Sequence, residues 1–185
     1  MDNRSLQLAL DEATHRVGVV RIQDRVAAVE TRNGRVAGVE LVGGGTLAAS
    51  VVLLAAGAWA GTVAGLPRPL PVRPVKGQML ALAPGHRPLS RVVTSPEAYL
   101  IPRETVEGPV VVVGATSEEA GFDLTLDREP QEALRRGAAA LVPVLEEAPV
   151  VERWAGLRPG TPDDLPILGP DPELPGLFFA TGHYR

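Results

Sequence analysis

The 185-residue chain contains no cysteine, which removes disulfides, thiolate nucleophiles and cysteine-ligated zinc from consideration. Histidine is nearly as scarce. His15, His86 and His183 lie far apart, with no His-x-x-x-His spacing, so no metal site is expected. Aromatic residues make up 4% of the chain, and 18 Lys+Arg stand against 22 Asp+Glu for a net charge of -4. A basic stripe interleaved with aromatics is therefore missing, and nucleic acid is not an expected partner. The N-terminus has no apolar h-region, because Asp2, Arg4, Asp11 and Glu12 interrupt it, so it is no signal peptide and a cytoplasmic location is expected. Residues 41–67 carry no charge, but Gly43-Gly44-Gly45, Ser50, Gly57, Gly61, Thr62 and Gly65 dilute their apolarity. That composition predicts a buried strand and a glycine turn, not a membrane span.

What the chain does have is punctuation. Twenty glycines and 18 prolines spread along it predict many short strands and turns, and its length allows one full core or two small ones. Asp2 or Asn3 can cap a helix in which Leu6, Ala9, Leu10, Ala13 and Val17 share one face, expected to be buried, with Gly18 as the stop. Residues 19–22 then read as a short strand. Strands over 25–32 and 35–42 flank Asn33-Gly34, the pair that suits a two-residue turn needing positive φ twice. Gly43-x-Gly45-x-x-Ala48 mimics a dinucleotide fingerprint, but it leads into another strand where the mechanism needs a helix, so it is read as a turn between strands. That next strand, 48–56, is apolar on both faces and expected to lie between layers. It ends in Gly57-Ala58-Trp59-Ala60-Gly61. Small residues there would let a flat ligand approach the backbone. The competing reading is a plain glycine turn with Trp59 packed on the core.

Pro67, Pro69, Pro71 and Pro74 mark a change of regime, and a domain crossing is placed there. Beyond it, strands over 78–82, 91–94, 98–102 and 110–115 predict an antiparallel sheet, with Tyr99 in the third. Asp127 is expected to cap a helix with Pro130 in its first turn, a buried face of Leu134, Ala138, Leu141, Val142 and Leu145, and Pro143 bending or ending it. A strand over 150–157 then leads to Arg158, confined by Gly156-Leu157 on one side and Pro159-Gly160 on the other. A guanidinium held this way matches a carboxylate bidentately, as an amino-acid substrate would require. An arginine paired to a nearby acid is the competing reading. The final residues read as a buried strand breaking at Gly182.

Seven segments, in order, carry a resemblance: Val51-Val52-Leu53-Leu54-Ala55-Ala56-Gly57-Ala58-Trp59, Pro74-Val75-Lys76-Gly77-Gln78, Tyr99-Leu100-Ile101-Pro102-Arg103, Gly114-Ala115-Thr116, residues 154–161, Pro166-Ile167-Leu168-Gly169 and Gly182-His183-Tyr184-Arg185. Together they resemble the glycine oxidase and D-amino-acid oxidase family of flavoenzymes, most closely the bacterial glycine oxidases linked to thiamine synthesis. The resemblance implies an α/β (α+β) fold. Residues 1–66 and 159–185 would form part of a glutathione-reductase-like FAD-binding domain, and 67–158 a substrate domain with an antiparallel sheet. It implies FAD as cofactor and oxidative deamination of glycine or small D-amino acids to the oxo acid, ammonia and hydrogen peroxide, with oxygen as the second substrate. A related sarcosine oxidase or amino-acid dehydrogenase is the alternative.

The same resemblance implies roles for individual residues. Arg158 would clamp the substrate carboxylate, Tyr99 would donate to it, and Arg185 would lie near both substrate and flavin. Val26, Gly57, Ala58, Trp59, Gly182, His183, Tyr184 and Arg185 would contact the cofactor. No membrane partner is implied, and a homo-oligomer is an open expectation for a full-length protein. The family's Gly-x-Gly-x-x-Gly unit and the end that closes over the flavin are missing from this sequence. The chain is therefore expected to be a fragment, inactive by itself.

Overall fold

The computed structural model describes residues 3–184. Among these residues are three sheets and two α-helices. The first helix, α1 (Asn3–Arg16), is joined by an irregular segment to the hairpin β1 (Val26–Arg32) and β2 (Arg35–Leu41). Asn33 and Gly34 form the turn at φ 52° and 72°, as the Asn-Gly pair predicts. β3 (Thr46–Ala48) adds to β2 and completes a meander.

The chain then crosses to a second sheet through β4 (Val52–Leu54). The strand predicted over 48–56 is thus shorter: only Val52–Leu54 form a strand there, and Ala48 ends β3 in the other sheet. A 3-10 helix, Gly57–Thr62, follows directly. β4 runs parallel to β11 (Leu177–Thr181), which pairs antiparallel with β10 (Ile167–Pro170). Val29, Val36, Leu54, Ala60, Val63, Leu174, Leu177 and Phe179 form the core shared by this sheet and the meander.

A five-stranded antiparallel sheet lies between these halves of the sequence. It comprises β5 (Arg73–Leu82), β6 (Val93–Thr94), β7 (Tyr99–Thr105), β8 (Gly108–Gly114) and β9 (Val150–Gly160), in the order β6-β7-β8-β5-β9. Pro74 is the second residue of β5, ahead of the stretch that pairs with β8, so its missing amide donor removes no bond of that pair. Helix α2 (Arg128–Leu141) covers one face. Leu134 and Ala138 from the helix, with Leu145 beyond it, bury against Leu80, Leu82, Leu100, Val111 and Val113, and the helix ends just before Pro143 as its proline predicts.

Four local expectations need correction. None of the residues of α1 is buried, and Leu6, Leu10 and Val17 are exposed, so the amphipathic face forms without a covering layer. Intrahelical pairs such as Gln7 with Asp11 and Arg16 with Glu12 support it, and polar contacts tie its start to the five-stranded sheet, Arg4 to Glu152 and Trp154 and Asn3 to Arg103. Asp2, the other proposed cap, lies outside the described residues. Residues 19–22 form no strand, since no partner strand lies beside them. The strand expected to be buried on both faces is buried on one: Leu54 is buried, while Val51 and Leu53 are exposed. Asp127 occupies the N-cap of α2 but makes no side-chain cap bond, because its carboxylate is engaged by Lys76.

Candidate functional site

The two faces of the five-stranded sheet follow from the strict alternation of side chains along a strand. Leu80 and Leu82 of β5 face α2, so Val75, Gly77 and Met79 face the other way. Across the register, Met79 opposes Trp154 and Val75 opposes Arg158, while Tyr99 opposes Gly114. Arg158 and Tyr99 therefore lie on one open face, although they start on strands at opposite sides of it.

Both side chains reach inward over glycines. A Cβ on Gly77 would lie 2.7 Å from Arg158 Nη2, so the guanidinium rests directly on the backbone of β5. A Cβ on Gly114 would lie 2.5 Å from the Tyr99 hydroxyl, so the phenol rests on β8, with its oxygen 3.8 Å from Met79 Sδ. Gly77 and Met79 are two residues apart, a rise of about 7 Å along a strand. The cationic fork and the phenol thus end above neighbouring positions of the same short stretch of β5.

Arg158 is half-buried and donates from Nη1 to the Thr116 carbonyl at 3.1 Å. Among the described residues no carboxylate pairs with it. The reading of Arg158 as an arginine paired to a nearby acid is therefore overturned. The remaining guanidinium donors of Arg158 make no hydrogen bond among the described residues.

Behind this face, the segment after β8 is locked to β5. Lys76 and Glu118 exchange backbone hydrogen bonds, both of 2.9 Å, and Gln78 N donates to Thr116 Oγ1 at 2.8 Å. Lys76, 1% exposed, places Nζ 2.8 Å from Asp127 and 3.5 Å from Glu118. The hydrogen bond to Asp127 holds the Lys76 ammonium above the usual lysine range, against burial, which acts the other way. Fully buried Gln78 completes the cluster, donating to Glu118 at 3.0 Å and to Asp127 at 3.1 Å.

Gly57, Ala58 and Trp59 follow the carboxyl end of β4, and Gly182, His183 and Tyr184 that of its parallel partner β11, while Val26 begins β1 in the meander. Thr181 Oγ1 donates to the Gly57 carbonyl at 2.9 Å, tying the two strand ends together. The 3-10 helix that begins at Gly57 packs against β5, β9 and β11, so this junction abuts the end of the sheet that carries Arg158. Tyr184 reaches the same region, its hydroxyl 3.3 Å from Ser117 Oγ, next to Thr116. Gly182 is buried and His183 exposed, and Arg185 lies outside the described residues.

A cavity of about 870 Å3 opens beside β4, lined by Val26, Leu53, Ala55, Ala56, Trp59 and Phe122 among others. Trp59 is 48% exposed and stacks on Phe122, with centroids 5.7 Å apart and planes at 29°. Trp59 is thus at the rim and not in the core. Ala58 is buried and does not line this cavity. The lining suits a large flat ring system: apolar strand residues, small Ala55 and Ala56 where bulk would block, and two aromatic rings. Arg25 is its one cation among the described residues, so the ring and ribose parts of a dinucleotide match this wall better than a diphosphate does.

The family description "FAD dependent oxidoreductase" matches residues 1–185, the whole sequence. The chain belongs to this family. As an FAD dependent oxidoreductase chain it is 42% identical over 179 residues to glycine oxidase from Pseudomonas aeruginosa, a match that covers 96% of this chain and 45% of that protein. It is 39% identical over 191 residues to the bifunctional protein ThiO/ThiG of Nostoc sp., covering 100% of this chain and 28% of that one. The crystal structure of glycine oxidase from Geobacillus kaustophilus superposes with a TM-score of 0.84 at 34% identity, covering 96% of this chain and 48% of that chain. The chain thus spans less than half the length of each of these three relatives.

Residue-by-residue reading missed Met79, Phe122 and the roles of Gly77, Gly114 and Thr116. Gly77, Gly114 and Thr116 lay inside the motifs that carried the resemblance, which was a usable signal. Met79 had none, since its place beside Tyr99 depends on cross-strand register. Phe122 had one, an aromatic between Gly121 and Asp123 in a turn where no core position calls for it.

Proposed function

We propose that this chain forms the carboxylate-binding side of an amino-acid oxidase that uses FAD and releases the oxo acid, ammonia and hydrogen peroxide, with glycine or a small D-amino acid as substrate. The observation that carries this reading is Arg158: half-buried, resting on Gly77, without an acidic partner among the described residues, and facing Tyr99 across β5. The resemblance to glycine oxidase supports the choice of substrate class.

In this reading Arg158 grips the substrate carboxylate through its spare donors and Tyr99 adds a hydrogen bond, which fixes the orientation of the α-carbon. FAD, when bound, would supply the hydride-accepting chemistry at that α-carbon, with oxygen as the terminal oxidant. Val26, Gly57, Trp59 and the Gly182 turn would hold it, with Phe122 stacking at the rim. Met79 and Trp154 flank the substrate and limit its side chain. Residues up to 66 and from 159 onward contribute to the flavin side, and 67–158 to the substrate side.

The test is a chimera joining this chain to the part of the P. aeruginosa glycine oxidase that it does not match. Peroxide release from glycine under air is expected. Arg158→Ala is expected to raise KM at least about tenfold, the loss of one hydrogen-bonded charge. An unchanged KM would exclude the clamp.

A further inference from the structure

Among the described residues Arg158 makes one hydrogen bond to the rest of the chain, the 3.1 Å bond from Nη1 to the Thr116 carbonyl. Thr116 follows β8 in a segment with no sheet of its own, so something must fix that carbonyl. Two bonds to β5 do so, Thr116 N to the Gln78 carbonyl at 3.3 Å and Gln78 N to Thr116 Oγ1 at 2.8 Å. The Thr116 hydroxyl accepts from Gln78 and donates its own proton to Glu118. Glu118 in turn accepts from Gln78 Nε2 at 3.0 Å and faces Lys76 Nζ at 3.5 Å, and Asp127 closes the cluster from the start of α2. Lys76 and Gln78 point away from the open face, yet through backbone and hydroxyl they set the carbonyl that aims Arg158.

We infer that Thr116 and Glu118 are positioning residues: the Glu118 carboxylate orients the Thr116 hydroxyl, and that hydroxyl holds the Thr116 carbonyl which points the Arg158 guanidinium at the substrate carboxylate. This rests on the clamp reading of Arg158. A threonine here is not interchangeable with an isosteric valine, because the hydroxyl both accepts and donates, while serine retains both functions.

The test is nuclear magnetic resonance on the 185-residue chain, reading the order parameter of the Arg158 Nε–Hε group and, separately, the dissociation constant for acetate. In the unsubstituted chain Arg158 is expected to be ordered, near the roughly 0.85 of rigid groups, and Thr116→Val and Glu118→Ala are expected to bring it below about 0.6. Thr116→Ser is expected to restore it. Arg135, held by the Glu146 and Ala148 carbonyls far from the site, serves as internal reference and is expected not to change. Acetate affinity is expected to fall about tenfold in both variants, as for one lost hydrogen bond to a charged group. An Arg158 order parameter that is unchanged in Thr116→Val, or lowered together with that of Arg135, overturns the positioning role whatever acetate does. Acetate that binds equally to the unsubstituted chain and to Arg158→Ala, or to neither, overturns the clamp reading and leaves the order parameters to decide the positioning role. If Glu118→Ala fails to fold, the Thr116→Val and Thr116→Ser pair decides alone.

Discussion

On β5, Leu80 and Leu82 point into a sealed layer beneath α2, while Val75, Gly77 and Met79 point the opposite way, toward Arg158 and Tyr99. The covered face is filled by volume: leucines and valines close-packed against Leu134, Ala138 and Leu145. The open face is shaped by missing volume, with Gly77 and Gly114 leaving room for a guanidinium and a phenol to lie on bare backbone. One alternation along one strand thus separates stability from recognition. Substitutions on the covered face should change the free energy of folding, and those on the open face should change binding.

The largest expected effect belongs to the covered face. Leu100 is fully buried, and Leu100→Ala is expected to lower the unfolding free energy by about 2–5 kcal/mol in urea denaturation. A loss of under about 1 kcal/mol would mean that this face is not the core. Gly77→Ala is the counterpart on the open face. Its Cβ would strike the far end of a flexible side chain, which can swing away, so stability is expected to change by less than about 1 kcal/mol. Acetate affinity, by contrast, is expected to drop about tenfold because the guanidinium leaves its place. If Gly77→Ala unfolded the chain as readily as Leu100→Ala, the division between the faces would be lost.

Lys76 belongs to the covered face but at its polar end, and it provides a pH test. Its pKa in the folded chain is raised, first by the Asp127 hydrogen bond. The stabilisation is therefore whole below the unfolded value of about 10.4 and is lost as pH rises through the folded value. Unfolding titrations in alkali are expected to show a steeper loss of stability in the unsubstituted chain than in Lys76→Met. Equal slopes would mean that the ammonium contributes nothing there. The smallest effect is expected at the cavity rim, where Trp59→Ala should change stability by only about 0.5 kcal/mol because the ring is half exposed. A cost of about 3–5 kcal/mol would put Trp59 in the core after all.

How much of this was legible beforehand follows the range of each interaction. Asn33-Gly34 and the α2 pattern ending at Pro143 are local, and each formed as read. Residues 48–56 misled because a continuous apolar run does not reveal where the chain changes sheets, and α1 misled because amphipathic spacing predicts a face without saying what covers it. Arg158 was visible as a confined arginine, but whether an acid lay beside it depended on the pairing of β5 with β9 and on a carbonyl 42 residues away. The glycine supports under Arg158 and Tyr99 were legible only as motif letters, since their purpose appears once the register brings the strands together.

Arg158, which has no acidic partner among the described residues, is proposed to take a carboxylate. The most direct measurement is the Arg158 Nε–Hε resonance of this chain during titration with acetate and, separately, with acetamide, which has the same shape and no charge. The account predicts a saturable shift of the Arg158 signal with acetate and none with acetamide. Equal shifts with both, or no shift with either, would contradict it.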